Sequence, residues 1–487
     1  MIPTQRCIQR LCISKFTQVW KELSPGTPRI LVNFSHSDSS GRVGPPLSAS
    51  DPEAGAVGGS SAACSAPITL DEVKVPDGRD TFKGLETDFP CLRKSPSVGP
   101  EPLYEKIVSG YKMFHHNQPF HFKYSNGILP EFKMAYETWG ELNEMKDNAV
   151  LIWTGLSAHS HVTSHKDNPK EGWWEKFVGE GRPIDTSKFF VICANHIGGC
   201  FGSTGPSSIN PMTKKPYATT FPMLSVDDLI NAQVLLLEHL GVEKLHGSVG
   251  ASLGGMCSLA IAAMYPERVS RTISISSCAA THPSSIALRY LQRRTIMADP
   301  LWNRGYYYDG PFPRLGLKLA REIAFVSYRS GPEWDQRFGR KMMEDYEQPN
   351  LCPNFLIESY LDYQGEISSV NFDPNSLLYI SKAMDLYDLA DGFSTMKESL
   401  ARIVSPTMVI GVQTDVLIPV QQQRKLAKML IEAGNDAVTY YELNSIYGHD
   451  TFLLDLASVG TAIKGFLETT GNNEKNDGEK RKFALLG

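Results

Sequence analysis

The sequence lacks three features that would each assign it to a broad class of protein. It has no basic excess, because 48 Lys and Arg stand against 53 Asp and Glu for a net charge of -5, which argues against nucleic-acid binding as its main role. It has no apolar run of about 18 residues, so no membrane span is expected. Its nine cysteines include no CxxC pattern, which argues against a disulfide scaffold and favours mostly reduced thiols.

The first 21 residues lack acidic side chains altogether, since the first carboxylate is Glu22. Basic and apolar residues recur there at helical spacing, namely Arg6, Arg10, Lys15 and Lys21 with Ile8, Cys12, Phe16, Val19 and Trp20. A basic amphipathic helix is typical of a mitochondrial transit peptide, so we predict one at 1–34 and a location in the matrix. The alternative is a disordered basic tail. A secretory signal is disfavoured because no uninterrupted apolar segment follows the basic residues.

Composition divides the rest of the chain into three parts. Residues 35–104 are rich in Ser, Gly, Ala and Pro around 35–68, a composition that cannot bury enough apolar area to offset chain entropy. We predict a disordered linker there and a flexible charged tail at 471–487. The segment 105–470 is predicted to be one folded domain, with no internal repeat.

Short apolar runs alternate with longer periodic segments through this domain, which predicts an α/β fold with a mainly parallel sheet covered on both faces. The predicted strands are Ala149–Trp153, Phe189–Ala194, Leu245–Val249, Thr272–Ser276, Thr407–Val412 and Val438–Leu443. The predicted helices are Val226–His239, Met256–Met264, Val420–Ala433 and Thr451–Phe466. Residues 279–393 have few strand-like runs and are predicted to form a helical lid over the carboxyl ends of the strands.

The motif with the clearest chemistry is Gly250-Ala251-Ser252-Leu253-Gly254. A strand is predicted before it and a helix after it, as a nucleophile elbow requires. The small glycines allow strand and helix to approach closely, and the turn raises the Ser252 hydroxyl to the top of the sheet. The Leu253 N–H at the start of the helix can then face a developing oxyanion. An ordinary tight turn is the alternative.

A serine hydroxyl needs a base to take its proton. In this type of elbow the partners follow in the order Ser, Asp or Glu, then His. Asp415 lies just beyond the strand that ends at Val412, and His449 lies between the last strand and the last helix. A helix cap and a surface histidine are the alternatives, but the order and the two strand-end positions favour a catalytic triad of Ser252, Asp415 and His449.

A second oxyanion donor is expected in the loop after an early strand. Strand 149–153 runs into this loop, and the backbone N–H of Leu156 is the candidate. His159, His161 and His165 follow and could suggest a metal site. We interpret them as polar loop residues and predict no metal, because no second cluster of ligand residues is evident in the sequence.

Several ordered motifs resemble the homoserine O-acetyltransferase family of acyltransferases with the α/β-hydrolase fold. They are Gly250–Met256, Gly448-His449-Asp450, the run from Asn195 to Pro206, Asp299-Pro300 with Trp302-Asn303, Tyr307–Gly310, and Phe372-Asp373 with Asn375-Ser376. The resemblance spans about 105–468. It implies transfer of an acetyl or succinyl group from acyl-CoA, through Ser252, to the side-chain hydroxyl of a small amino acid. It also suggests a homodimer.

The resemblance implies three substrate-binding residues. Arg293 matches the arginine that holds the amino-acid carboxylate, which a guanidinium grips in bidentate fashion, and its neighbour Arg294 is the weaker choice. Asp450 matches the carboxylate that receives the ammonium, with a helix cap as its alternative. Tyr307 is the third.

Three positions depart from the homoserine enzymes of the family. Those enzymes usually have Gly and Met where Ala251 and Leu253 stand, and Arg where Asn371 stands. The Ala/Leu elbow is more similar to the branch that acylates L-serine, which includes fungal enzymes of cysteine synthesis.

These observations lead to a mitochondrial L-serine O-acyltransferase with a ping-pong mechanism, acyl-CoA as co-substrate and no cofactor. The first alternative is a homoserine O-acetyltransferase of methionine synthesis, because homoserine differs from serine by one methylene, worth only about 1–3 kcal/mol of discrimination. An esterase or thioesterase with the same triad is the second alternative. A non-catalytic binding protein is the third, and an intact triad speaks against it.

Overall fold

The computed structural model describes residues 102–124, 126–343, 351 and 354–469. The predicted transit peptide at 1–34, the tail at 471–487 and all but the end of the linker predicted at 35–104 lie outside these residues. Tyr104, the last residue of that predicted linker, begins a short 3₁₀ turn, Tyr104–Lys106. Its side chain is buried with its ring edge against Phe201, so the folded domain includes this residue.

Eight strands form one sheet, and four shorter strands form two small pairs. In chain order the strands are Lys112–His116 (β1), Phe120–His121 (β2), Ile128–Leu129 (β3), Phe132–Trp139 (β4), Ala149–Trp153 (β5), Val178–Gly179 (β6), Ile184–Asp185 (β7), Phe190–Ala194 (β8), Gly247–Ala251 (β9), Thr272–Ile275 (β10), Thr407–Val412 (β11) and Val438–Leu443 (β12). The sheet order is β1-β4-β8-β5-β9-β10-β11-β12.

From β8 to β12 every neighbouring pair of the sheet is parallel, whereas β1, β4 and β8 pair antiparallel. The mainly parallel α/β sheet is therefore confirmed. The antiparallel edge was not predicted, because β1 and β4 mix charged residues and histidines with apolar ones and precede the alternating region. Strand β9 begins two residues later than predicted, so it runs directly into Ser252.

Helices lie between the strands and cover both faces of the sheet. They are Val226–His239 (α1), Leu253–Met264 (α2), Pro283–Ala298 (α3), Arg314–Tyr328 (α4), Gly331–Arg337 (α5), Leu356–Ser368 (α6), Pro374–Asp385 (α7), Met396–Ala401 (α8), Val420–Glu432 (α9), Thr451–Leu454 (α10) and Thr461–Glu468 (α11). Along β5, Leu151 belongs to the core cluster that includes residues of α1, α2 and α9, while Val150 and Ile152 belong to the cluster on the other face, which includes residues of α11. This alternation follows from the two-residue period of a strand.

The segment between β10 and β11 is helical, as predicted, and contains α3 to α7. Two hydrogen bonds tie it to loops at the carboxyl ends of the sheet strands. The Ser285 hydroxyl donates to the carbonyl oxygen of Leu417, and the Ser330 hydroxyl donates to the carbonyl oxygen of Ile446. The insertion thus contacts the two loops on which Asp415 and His449 lie.

The single helix predicted at Thr451–Phe466 is wrong. The chain forms α10, then a π-type turn at Leu456–Gly460, then α11. The break occurs at Asp455, whose ψ of 75° is not helical and whose carboxylate accepts a hydrogen bond from the Ser458 N–H at 2.9 Å. A side-chain cap of this kind starts a new helical segment. Among the described residues, no helix is both long and apolar enough to cross a membrane.

Candidate active site

Ser252 occupies a strained turn between β9 and α2. Its φ of 57° and ψ of -121° are rarely adopted by a residue with a side chain. Only glycine fits on either side of this turn. A Cβ at Gly250 would lie 2.0 Å from the carbonyl oxygen of Gly254, and one at Gly254 would lie 2.4 Å from that of Trp153. The elbow predicted from the motif is therefore the geometry of this turn, and it places Ser252 beyond the carboxyl end of a central strand.

His449 and Asp415 form the second part of the site. The Nδ1 of His449 lies 2.7 Å from Oδ2 of Asp415, and both side chains are almost fully buried. The other carboxylate oxygen, Oδ1, accepts hydrogen bonds from the N–H groups of Leu417 and Ile418, each at 2.9 Å. With both oxygens engaged, the carboxylate is fixed in orientation and holds the histidine proton on Nδ1. This leaves Nε2 as the basic nitrogen.

Electrostatics in this pair favour the protonated histidine. Burial alone would lower the pKa of His449, but the charge of Asp415 and its hydrogen bond outweigh burial and raise that pKa above its usual value. Tyr328 stacks on the imidazole ring, and Phe452 meets it edge-on. These contacts fix the plane of a ring that gains and loses a proton in the predicted mechanism.

Topology brings Ser252 to the same edge of the sheet as this pair, since β9, β11 and β12 are parallel and end there. Within the described residues the Ser252 hydroxyl forms no hydrogen bond, so the bond to His449 that catalysis requires is not made. Such bonds are often long before substrate binds and tighten in the reacting complex.

The loop that carries Leu156 is pinned at both of its ends by consecutive residues that follow β8. The Ser160 N–H donates to Oδ1 of Asn195 at 2.7 Å, and Nε2 of His196 lies 3.2 Å from the carbonyl oxygen of Thr154. A small pocket beside the loop is lined partly by Gly155, Leu156 and these two side chains. The Leu253 N–H, the first in α2, has no partner within its helix. Both predicted oxyanion donors thus stay candidates.

His196 can be assigned a single protonation state. Burial lowers its pKa to about 4, so the ring is neutral. A carbonyl oxygen only accepts hydrogen bonds, so Nε2 carries the proton that reaches Thr154, and Nδ1 accepts from the Gln233 side chain at 3.3 Å. Sequence reasoning missed this role of His196. The Asn195-His196 pair directly after a buried strand was the available signal.

His161 and His165 meet at one buried carboxylate, that of Glu137. Oε2 of Glu137 lies 2.8 Å from Nδ1 of His161 and 2.7 Å from Nε2 of His165, and the Ser160 hydroxyl donates to Oε1 at 2.6 Å. Burial would raise the pKa of Glu137, but these hydrogen bonds outweigh it and lower that pKa. Glu137 was missed because it precedes the histidines by more than 20 residues on a different strand.

The side chains of Glu137, His161 and His165 offer three ligand atoms within 4.8 Å of one another, so this is the group to test for a metal. The other nitrogen of His161 lies 2.8 Å from the carbonyl oxygen of Lys170. His161 must therefore donate from both nitrogens to satisfy Glu137 and Lys170. Glu137 also raises the pKa of His161 against the effect of burial, which favours this doubly protonated form and its ion pair with the carboxylate. The arrangement is explained by a buried ion pair, and the prediction of no metal site stays a prediction.

Arg293 lies on the buried face of α3, while Arg294 is exposed. The Nη2 of Arg293 bonds the Asp385 carboxylate, and Nη1 donates to the Ser381 hydroxyl at 3.3 Å. The neighbouring turn contributes a second arginine, Arg289, whose Nε donates to the same carboxylate at 2.6 Å. Sequence reasoning missed Arg289, although its position four residues before Arg293 places both on one helix face.

Asp450 is paired with a cation of the insertion. Its Oδ2 lies 3.3 Å from Nη2 of Arg329, whose Nη1 also lies 2.9 Å from Glu333. Burial raises the pKa of Asp450, and Arg329 opposes that effect. Its side chain makes no capping bond to the helix that begins at Thr451, so the cap alternative is wrong.

Tyr307 lies in a buried cluster of the insertion. Its hydroxyl donates to Oδ1 of Asp373 and accepts from the N–H of Asn375 at 3.2 Å, and its ring packs with that of Tyr308. Only 2% of the residue is exposed. The geometry gives Tyr307 a role in packing and hydrogen bonding, and a contact with substrate stays a prediction.

The chain is similar to known acyltransferases over most of its length. The serine O-succinyltransferase of Schizosaccharomyces pombe is 48% identical over 77% of this chain and 87% of its own length. The enzyme of the same name from Emericella nidulans is 46% identical over 78% and 87%. A homoserine O-acetyltransferase from Carboxydothermus hydrogenoformans is 43% identical over 69% and 89%.

Solved structures of an acyltransferase and of an esterase share the fold at lower identity. The homoserine O-acetyltransferase of Bacillus anthracis superposes with a TM-score of 0.69 at 28% identity, over 74% of this chain and 99% of that one. Esterase E22 superposes with a TM-score of 0.68 at 28% identity, over the same shares. The family model described as the alpha/beta hydrolase fold matches residues 148–455. The chain therefore belongs to the α/β-hydrolase-fold acyltransferases that include serine O-succinyltransferases and homoserine O-acetyltransferases.

Proposed function

We propose that this protein is an L-serine O-acyltransferase that uses acetyl-CoA or succinyl-CoA and forms O-acylserine for cysteine biosynthesis. The observation that carries the proposal is the fixed His449–Asp415 pair at the same edge of the sheet as the strained Ser252 elbow. Acyl-CoA serves as a co-substrate, and no cofactor takes part.

The first half of the reaction acylates Ser252. Nε2 of His449 takes the hydroxyl proton, and Oγ attacks the thioester carbonyl of acyl-CoA. The N–H groups of Leu156 and Leu253 stabilise the oxyanion that forms. When the intermediate collapses, the C–S bond breaks, and CoA leaves with the proton returned by His449.

The second half transfers the acyl group to the amino acid. Arg293 holds the carboxylate of the acceptor, and Asp450 receives its ammonium. His449 then removes the proton of the side-chain hydroxyl, and the hydroxyl oxygen attacks the carbonyl of the acyl-enzyme. The ester bond to Oγ breaks, and His449 returns the proton to Ser252. A purified Ser252→Ala variant should form no acyl-enzyme and transfer no acyl group. Normal turnover by that variant would overturn the scheme.

The names of the most similar curated relatives support serine as the acceptor, and the presence of a homoserine O-acetyltransferase among the relatives keeps that alternative open. The test is a set of four steady-state assays that combine L-serine or L-homoserine with acetyl-CoA or succinyl-CoA. A kcat/KM that favours homoserine tenfold or more would reject the serine assignment.

The hydrolase alternative is favoured by one comparison, the likeness to esterase E22. The two classes share the acyl-enzyme and differ in what attacks it. CoA release from acyl-CoA should therefore be slow without an amino acid and should accelerate when L-serine is added. Rapid hydrolysis that serine does not change would favour the esterase.

We also propose import into the mitochondrial matrix and assembly as a homodimer. The basic, acid-free sequence at 1–34 supports import, and a fluorescent protein fused after residue 34 should enter mitochondria. Large apolar side chains that the insertion exposes support self-association, among them Leu291, Leu315 and Tyr363. Sedimentation of the purified enzyme would give the oligomeric state.

A further inference from the structure

The loops that carry Asp415 and His449 are joined by few hydrogen bonds. The backbone ladder between β11 and β12 ends at the N–H of Gln413. Beyond it the chain continues as an acid loop, 414–419, and a base loop, 444–450. Within the described part of the chain three hydrogen bonds connect these loops, and one of them is the bond between His449 and Asp415 itself. The relative position of the two catalytic residues therefore depends on the other two bonds.

Both of these other bonds are made by one side chain, that of Thr414. Its hydroxyl donates to the carbonyl oxygen of Ser445 at 2.5 Å and accepts from the N–H of Gly448 at 3.2 Å. A hydroxyl has one proton to donate and lone pairs with which to accept, so both bonds are made at once. In the chain Thr414 directly precedes Asp415. Gly448 likewise precedes His449, so the bridge lies one residue from each member of the catalytic pair.

Gly448 is held on its other side as well. Its carbonyl oxygen accepts a hydrogen bond from the Thr451 hydroxyl at 2.7 Å. Its φ of 60° is one that glycine adopts freely, and a Cβ here would lie 2.9 Å from the carbonyl oxygen of Tyr328 in α4, so the backbone is packed closely against the insertion. Among the described residues the N–H of Gly448 bonds only the Thr414 hydroxyl. Losing that hydroxyl would release the base loop on the side of the acid loop.

We propose that Thr414 is a positioning residue of the catalytic site. By tying the base loop to the acid loop, its hydroxyl sets the distance and the angle at which His449 meets Asp415. This inference rests on the proposed function, in which His449 is the base that takes the proton of Ser252. The carboxylate fixes the tautomer of His449 only while the two side chains stay within hydrogen-bonding distance, so a looser bridge should slow every step that needs the base.

The test removes the hydroxyl without changing the shape of the side chain. In Thr414→Val a methyl group takes the place of the hydroxyl, which leaves the Ser445 carbonyl and the Gly448 N–H without this partner. The rate at which acyl-CoA acylates Ser252, followed by mass spectrometry after rapid quenching, should fall about 10-fold or more, because a displacement of about 1 Å can cost about 100-fold. Thr414→Ser keeps the hydroxyl and should recover most of the rate. Thr461→Val makes the same exchange at an exposed position of α11 and should match wild type.

The pH dependence of acylation separates positioning from a general loss of folded enzyme. The charge of Asp415 raises the pKa of His449 against the effect of burial. A looser pair weakens this effect, so the midpoint on the acid side should move to lower pH in Thr414→Val and return toward the wild-type value in Thr414→Ser. Asp450 and Arg289 also act on His449, the first raising and the second lowering its pKa, and neither is altered in these variants. Partial unfolding would lower the rate at every pH without moving the midpoint.

Either of two results would overturn the inference. One is a Thr414→Val enzyme that is acylated at the wild-type rate. The other is a slower enzyme whose midpoint is unchanged, or whose rate and midpoint Thr414→Ser does not restore, because the hydroxyl would then not act through His449.

A fluorophosphonate that modifies Ser252 separates this inference from the proposed function, because its reaction needs the base but neither acyl-CoA nor an amino acid. If Thr414→Val slows this modification and shifts its midpoint, but wild type transfers no acyl group to L-serine, the positioning role is supported and the proposed function is wrong. If wild type and variant are modified equally fast and both transfer to L-serine normally, the proposed function is supported and the role of Thr414 is wrong. A wild type that the reagent does not modify would overturn both.

Discussion

Replacing Asp415 with asparagine alters the active site by one functional group, and the structure predicts which way the new amide points. Oδ1 accepts N–H groups from Leu417 and Ile418, so the amide oxygen must occupy that position. The NH₂ group then faces Nδ1 of His449 at the position now 2.7 Å from the ring. It donates to Nδ1, which forces the histidine proton onto Nε2, and an Nε2–H cannot accept the proton of Ser252.

The size of the effect follows from the same contacts. Flipping the amide to rescue the tautomer would lose two accepted hydrogen bonds worth about 1 kcal/mol each, so the inactive orientation is favoured by about 2 kcal/mol or more. In triads of this type the same exchange lowers kcat about 10⁴-fold, equal to roughly 5 kcal/mol of barrier. We expect a loss of that order in CoA release from acyl-CoA, measured with a thiol reagent at neutral pH.

The fold should survive this substitution, because asparagine keeps the shape and the bonds to the loop. The far-UV circular dichroism and the urea midpoint of Asp415→Asn should therefore match wild type. Asp436→Asn, an exposed aspartate on the loop before β12, controls for the chemical change and should retain full activity. If Asp415→Asn kept more than about a tenth of wild-type kcat, the assignment of Asp415 as the residue that sets the tautomer of His449 would be refuted.

Four further predictions test the surrounding geometry. Asp415 raises the pKa of His449 above 6.5, and the base must be neutral to act. The value of kcat/KM should therefore fall as the pH is lowered, with a midpoint above pH 6.5; a midpoint below pH 6.5 would contradict the stabilisation of protonated His449 by Asp415. Gly250→Ala should fail to accumulate as soluble enzyme, since its Cβ would lie 2.0 Å from the carbonyl oxygen of Gly254; a wild-type yield and activity would contradict the close approach of strand and helix at this turn. Ser252→Gly should be about 1 kcal/mol more stable than Ser252→Ala in urea titrations, because glycine adopts the positive φ of this position without the strain that a Cβ causes; the reverse order would show that the backbone at position 252 is not strained. Glu137→Gln should lower the free energy of unfolding by about 1–3 kcal/mol, because the amide has one acceptor oxygen in place of the two that bind His161, His165 and the Ser160 hydroxyl; an unchanged urea midpoint would mean that these hydrogen bonds do not stabilise the fold.

The parts of the fold that could be predicted are those in which local pattern and tertiary structure agree. Helix α1 begins and ends at the predicted residues, because Ser225 and Asp228 form a capping box at its start and Gly241 adopts a positive φ just after its end. The antiparallel strands β1 and β4 were missed. Strand β4 pairs with β8, which lies far along the chain, and β1 pairs in turn with β4; their own residues show no regular alternation.

The active-site residues also fall into those that a sequence pattern marks and those that it does not. Ser252, Asp415 and His449 could be found because each follows a recognisable strand in a fixed order. Glu137 and Asp385 could not, since a lone acidic residue in a strand or at a helix end has no pattern that marks it as the partner of a distant cation. Their functional meaning appears only when the fold brings opposite charges together in a buried place.

The acyl-enzyme stage does not distinguish a transferase from an esterase, because water and the serine hydroxyl compete for the same base, His449. The distinction must lie in groups that hold an acceptor carrying both charges. In this structure Arg293 is already paired with Asp385, and Asp450 with Arg329. Under the proposed function, a zwitterionic amino acid joins these existing ion pairs at its two ends without exposing an isolated buried charge, whereas water or a neutral alcohol gains nothing from either pair. In the proposed mechanism the binding energy released at those two ends orients the hydroxyl toward the ester, and transfer to an amino acid is then favoured over hydrolysis.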